Sequence, residues 1–100
     1  MTSRYKLSEK AAAQLTEIYT YGSENWGEAA ADRYYYALIE RFRKIAERPY
    51  LYPPVDHIHK GYRRSVYGEE SIYYRIDGDT VEIMAVLGSQ NIDTSSDCRE

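Results

Sequence analysis

The chain has 100 residues, 43% hydrophobic and 29% charged, with a formal charge of −3. That length makes one domain with one modest core, and the acidic balance argues against a general nucleic-acid binder, which would carry a basic excess. A single cysteine, Cys98, allows no intrachain disulfide and fits a cytoplasmic setting, while the opening "MTSRYKLSEK" lacks an apolar signal core and no stretch approaches membrane-spanning length.

Tyr5 to Leu7 reads as a short extended segment. Ser8 is placed to cap a first helix, with Ala11 to Ala13 as good helix formers. Leu15, Ile18, Tyr19 and Gly22 follow at helical spacing; Gly22 weakens the end, and "NWG" at 25–27 closes it. Trp26 is expected to plug that turn. A second helix begins near Glu28. Ala30, Tyr34, Ala37, Leu38, Phe42 and Ile45 fall on its apolar face, with Asp32, Arg33, Glu40, Arg43 and Lys44 away from it. Successive helical positions sweep about 100°, so Tyr34, Tyr35 and Tyr36 do not all enter the core. Tyr34 is the core member. Pro49 ends the helix, and the tight turn between the helices predicts an antiparallel hairpin.

"RPYLYPPVDHIHKG" is a loop stiffened by Pro53 and Pro54. His57 and His59 in it have no Cys or third His beside them, so the expectation is no metal and no cofactor. After Gly61 the apolar period changes to two. Residues 62–67 form one strand and "GEE" at 68–70 a turn. Ile72, Tyr74 and Ile76 then alternate with Tyr73 and Arg75. "DGD" at 77–79 marks a hairpin, and "TVEIMAVL" at 80–87 is apolar enough for a central strand. The fold class is therefore α+β, βααβββ, an antiparallel sheet with a two-helix hairpin on one face. Residues 1–93 form the domain, and the polar tail 94–100, which holds Cys98, is expected to be disordered.

In that order, Pro49, Gly61-Tyr62-Arg63, Ile72-Tyr73-Tyr74-Arg75, Asp77-Gly78-Asp79 and the run from Val86-Leu87 to Asp93 resemble the ParE branch of the RelE/ParE toxin superfamily. The resemblance spans residues 4 to 93. It implies a bacterial toxin in a hetero-oligomer with a cognate, ParD-like antitoxin. It also implies one of two targets: DNA gyrase, poisoned by binding, or mRNA, cut on the ribosome. The fold does not choose between them, so the site residues must.

RNA cleavage needs a general base, a general acid and cations for the developing phosphorane. Arg63, Arg64 and Arg75 supply charge. Nuclease relatives, as the resemblance implies, carry a His or Tyr after the last strand, where this chain reads Gly88-Ser89-Gln90-Asn91. The two histidines lie back in the loop. The basic run Arg41, Arg43, Lys44, Arg48, Lys60, Arg63 and Arg64 is offset by an acidic C-terminal part, and a net negative chain gains little from counterion release at a phosphate surface. A gyrase-binding toxin, without sequence-specific nucleic-acid recognition, is the reading; an mRNA endonuclease is the alternative. The target face is assigned to Arg63, Arg64, Tyr73 and Arg75, continued by Ser89, Gln90, Asn91 and Asp93; of Arg63 and Arg64, only one can point to that face. The bland counterparts are cross-hairpin ion pairs of Arg63 or Arg64 with Glu69 or Glu70, and of Arg75 with an acidic neighbour. Leu15, Tyr19, Tyr35 and Ile39 are assigned to an apolar groove for the antitoxin's helix, with a sheet edge open to a partner strand.

Overall fold

A computed structural model of the chain describes residues 4–88. Ser89, Gln90, Asn91, Asp93 and the tail 94–100 lie outside the described residues. The elements are β1 (Arg4–Leu7), α1 (Glu9–Trp26), α2 (Glu28–Glu47), β2 (Tyr62–Tyr67), β3 (Glu70–Asp77) and β4 (Thr80–Gly88).

Ser8 does two tasks where β1 becomes α1. Its hydroxyl oxygen accepts from the Ala11 amide at 3.0 Å, satisfying an orphan donor of the first turn. The same hydroxyl donates to the Met84 carbonyl at 3.0 Å, so the cap also docks the helix start onto β4. Gly27 turns the chain between the helices at φ +95°, a region open to glycine at little cost. Gly22 does more than weaken the helix end. It is buried, and an added Cβ would stand 3.2 Å from the Trp26 ring and 3.4 Å from the Ala31 Cβ. The glycine is where the two helices come close. α2 stops ahead of Pro49, and the Tyr74 hydroxyl donates to the Pro49 carbonyl at 2.5 Å, fastening the helix end to the sheet.

The sheet order is β1-β4-β3-β2. β2, β3 and β4 form the expected antiparallel meander, while β1 adds alongside β4 in parallel, so the sheet is mixed. The helices cover one face. Ala11, Leu15, Leu38, Phe42 and Ile45 meet Ile72, Tyr74, Val81, Ile83 and Val86 there as one core. β4 reads apolar on both sides because it carries an extra residue. Pairing passes from Tyr73 with Ala85 to Tyr74 with Ile83, and Met84 is left over. This bulge lets Ile83 and Val86, three apart, both reach the helix side, while Ala85 faces away.

The far face is less open than the sequence suggests. Val55, Tyr73 and Ala85 form a second small core, with Tyr62 and Leu87 packed against it. The Pro53-Pro54-Val55 segment is held there by the edge strand: the Val55 amide donates to the Tyr62 carbonyl at 2.8 Å and the Arg64 amide to the Pro53 carbonyl at 3.1 Å. The loop therefore pairs with the start of β2 and folds Val55 over the sheet.

Candidate functional site

Cross-strand register sorts the arginines of β2 and β3. Arg64 lies beside Tyr73, and Arg75 lies between Tyr62 and Glu82; these share the face away from the helices. Arg63 pairs with Tyr74 and points to the helix side. Of Arg63 and Arg64 it is thus Arg64 that joins Tyr73 and Arg75.

Each arginine has found a local partner. Arg75 donates from Nε to Glu82 Oε1 at 2.8 Å, with Nη2 at 2.7 Å from the same oxygen. That bond and the carboxylate's charge hold its pKa above even the usual arginine value. The Arg64 guanidinium lies 6.0 Å from the Tyr73 ring centre. Arg63 donates to the Tyr52 carbonyl at 2.6 Å and sits 5.0 Å from the Tyr50 ring. Neither Arg63 nor Arg64 forms a pair with Glu70, whose carboxylate accepts instead from Tyr34 at 3.0 Å. Tyr73 is 8% exposed. It packs with Val55 and its cross-strand neighbour Ala85, and it does not offer a free ring.

His59, left in the loop by its sequence position, is brought onto this face. Its ring stacks on Tyr62 with centres 4.0 Å apart and planes 23° apart. A shallow hollow beside it is bordered by Lys10, Ile58, Tyr73 and Met84. Nothing in the linear spacing reveals this, since the loop is carried to the sheet by its bonds to β2, among them Val55 to Tyr62 and Arg64 to Pro53. Among the described residues no group of three or more His, Cys, Asp or Glu could hold a metal ion.

The helical side has its own surface. Leu15, assigned to a partner groove by its spacing, is 3% exposed and belongs to the core between the helices and the sheet. Core and groove positions on α1 look alike in sequence because both are apolar at helical spacing. Tyr19, Tyr35 and Ile39 remain half-buried at the surface, and Tyr35 and Ile39 pack against that core. The Tyr19 and Tyr35 rings meet edge to face at 5.9 Å, and Tyr35 meets Tyr36 likewise at 5.5 Å. The Tyr19 hydroxyl donates to Asp32 at 2.7 Å, which helps push its phenol up to about 12. Tyr36 is 67% exposed, so the three consecutive tyrosines do diverge around the helix. Trp26 is not sealed: it is half-exposed and meets both Tyr21 and Tyr34 edge-on.

Of the two sheet edges, β2's is already engaged. The loop holds Tyr62 and Arg64, and the Arg41 guanidinium donates to the Val66 carbonyl at 3.0 Å. A partner strand would therefore find β1 the less obstructed edge.

With this geometry in place, the likenesses to other proteins are specific. The family model for the ParE toxin of the type II toxin-antitoxin system parDE matches residues 5–92. The chain is 39% identical over 83 residues to Toxin ParE1 of Caulobacter vibrioides, covering 83% of this chain and 85% of that protein. It is 34% identical over 88 residues to Toxin ParE1 of Mycobacterium tuberculosis, covering 87% and 90%. Among solved structures, the fold superposes on a chain of the chromosomal ParDE toxin–antitoxin system from P. aeruginosa with a TM-score of 0.74 at 19% identity, covering 86% of this chain and 95% of that one. A chain of the toxin–antitoxin complex RelBE2 from M. tuberculosis gives 0.67 at 19% identity, covering 88% and 99%.

Proposed function

Because this chain belongs to the ParE toxin family of type II toxin–antitoxin systems, we propose that it inhibits DNA gyrase by binding, in the cytoplasm, and is neutralised by a ParD-like antitoxin. The observation that carries the binding reading is the state of the far-face arginines. Arg75 is neutralised by Glu82, and Arg64 lies along a buried tyrosine. Such a face offers oriented donors and apolar area rather than the concentrated positive charge that a phosphorane demands. Arginine and tyrosine are also the side chains that dominate protein-interface hot spots. For the antitoxin, the half-buried strip of Tyr19, Tyr35 and Ile39 suits one apolar face of an amphipathic helix.

The test is expression with and without the cognate antitoxin. DNA breaks, filamentation and loss of gyrase supercoiling by purified protein are expected. Site-specific cutting of mRNA on ribosomes, with gyrase unaffected, would overturn the reading. One observation favours that second outcome: His59 stacks on Tyr62, so an imidazole and the Arg64 guanidinium share one face of the sheet. His59→Ala separates the two, since gyrase inhibition should survive it and mRNA cleavage should not.

A further inference from the structure

We propose that Arg41 and Arg63, with the tyrosines between them, form a cradle for the phosphodiester backbone of single-stranded nucleic acid, on the β2 edge. This site is separate from the far face and does not depend on gyrase being the target.

The argument starts from how the guanidiniums are held. Arg43 is ion-paired with Glu40 and Arg75 with Glu82. Arg41 and Arg63 instead bind neutral oxygens. Arg41 Nη1 donates to Ser65 Oγ at 2.8 Å and to the Val66 carbonyl at 3.0 Å. Arg63 Nη1 donates to the Tyr52 carbonyl at 2.6 Å. Both lie against tyrosine rings: Arg41 is 5.1 Å from Tyr67 and 5.8 Å from Tyr52, and Arg63 is 5.0 Å from Tyr50. Tyr52 thus touches both, one through its ring and the other through its carbonyl.

Two consequences follow. A guanidinium carries five N–H donors. With one nitrogen of each engaged in these bonds, Nε and Nη2 of both residues are available for an anion. The contacts in place also fix each side chain in advance, so little rotamer freedom is left to lose on binding. The charge itself is not cancelled, because the acceptors are a hydroxyl and backbone carbonyls. Arg48, two helical turns beyond Arg41 and exposed, extends the positive flank.

Tyr50 selects among anions. Its ring is 69% exposed, and only one of its faces is taken up by Arg63. The other suits a base, and base–aromatic stacking tolerates any sequence. A duplex keeps its bases inside, and an acidic peptide has no base to stack. Single-stranded nucleic acid is the ligand that uses both halves of the cradle.

Fluorescence anisotropy of labelled dT20 with the full chain at low salt tests this. Binding is expected, with affinity falling as salt rises by a log–log slope of about 0.7 per phosphate neutralised. Arg41→Gln with Arg63→Gln should weaken it about ten-fold or more and lower that slope by about 1.4. Arg43→Gln, whose arginine is already paired, should leave it unchanged. Arg41 also braces β2, so Tyr50→Ala serves as a second variant whose fold is not at risk; it too should weaken dT20 binding, with an unaltered melting curve. The proposal fails if dT20 does not bind, or if these variants bind it as the parent does. It fails equally if oligoglutamate competes as well as dT20, which would mark an acidic-peptide site, or if a duplex of the same length binds more tightly.

Discussion

Tyr34 and Glu70, 36 residues apart in the chain, are joined by a 3.0 Å hydrogen bond from phenol to carboxylate. The same hydroxyl accepts from the Glu69 amide at 3.2 Å, so one tyrosine of α2 secures the β2–β3 turn. Burial pushes the Tyr34 phenol well above its ordinary value. It also raises the Glu70 carboxyl, with the Tyr34 bond acting in the opposite direction and the Glu69 charge adding to the rise.

Glu70 therefore makes stability depend on pH in a direction uncommon for a carboxylate. Between its ordinary value of 4.5 and its raised value, the folded chain keeps a proton that the unfolded chain has lost. Stability falls as pH rises through that window and levels off above it. Glu70→Gln should flatten this slope. Its melting temperature should gain on the parent's at pH 8 relative to pH 4, as read from thermal melts across that range.

Gly68 lies under the same tyrosine. Its φ is +57°, and an added Cβ would stand 2.7 Å from the Tyr34 hydroxyl. Gly78 has a similar φ of +66° with nothing within 4 Å of the added atom. Gly78→Ala should cost about 1–3 kcal/mol from backbone strain alone. Gly68→Ala should cost more, and the difference between their urea midpoints reports the displaced Tyr34.

Toxicity and stability should separate along one strand pair. Arg75→Ala removes an exposed ion pair and should leave the melting temperature nearly unchanged while weakening gyrase inhibition. Ile83, fully buried, should lose about 2–5 kcal/mol on truncation to Ala. Ile76 is only half-buried, so Ile76→Ala should lose less than the sequence pattern suggests. Chemical denaturation of the three variants, beside a supercoiling assay, checks the separation. Full inhibition by Arg75→Ala would move the working surface elsewhere.

Antitoxin binding should divide in the same way on the helices. Tyr35→Ala and Ile39→Asp should each weaken the complex about ten-fold or more, equivalent to about 1.4 kcal/mol. Leu15→Ala should chiefly lower the melting temperature. Calorimetric titration with the cognate antitoxin distinguishes them, and unaltered affinity in both surface variants would reject the strip.

The elements legible in the sequence are those whose signals are local. Ser8, Gly27 and Pro49 bound the helices through capping and backbone geometry, and period-two patterning with Asp77-Gly78-Asp79 exposes the meander. The parallel partner of β1 is set by contacts across the whole chain and leaves no such mark. Nor does the extra residue at Met84, since a β4 that is apolar throughout hides a change of phase. Arg64 was separable from Arg63 by alternation, but which of them faced away depended on register. The Val55 contact, which buries Tyr73 and carries His59 to the sheet, turns on one apolar residue in a proline-rich loop.

The pairing of β1 with β4 also has a bearing on synthesis. Ser8 and Met84, which bond to each other, are 76 positions apart. The ribosome therefore releases both helices well before the strand that covers them exists. During that interval the apolar side of the hairpin stands uncovered, and long-range closure is the slow kind. An amphipathic segment already in the cell, such as a previously made antitoxin, would meet the nascent chain before its sheet is complete. Neutralisation could then precede the first moment at which the toxin is folded, so that the order of translation within the pair, as well as affinity, would govern how much free toxin a cell ever contains. Ribosome-stalled chains ending before and after β4, tested for antitoxin capture, read this directly: capture only after β4 has emerged would exclude it.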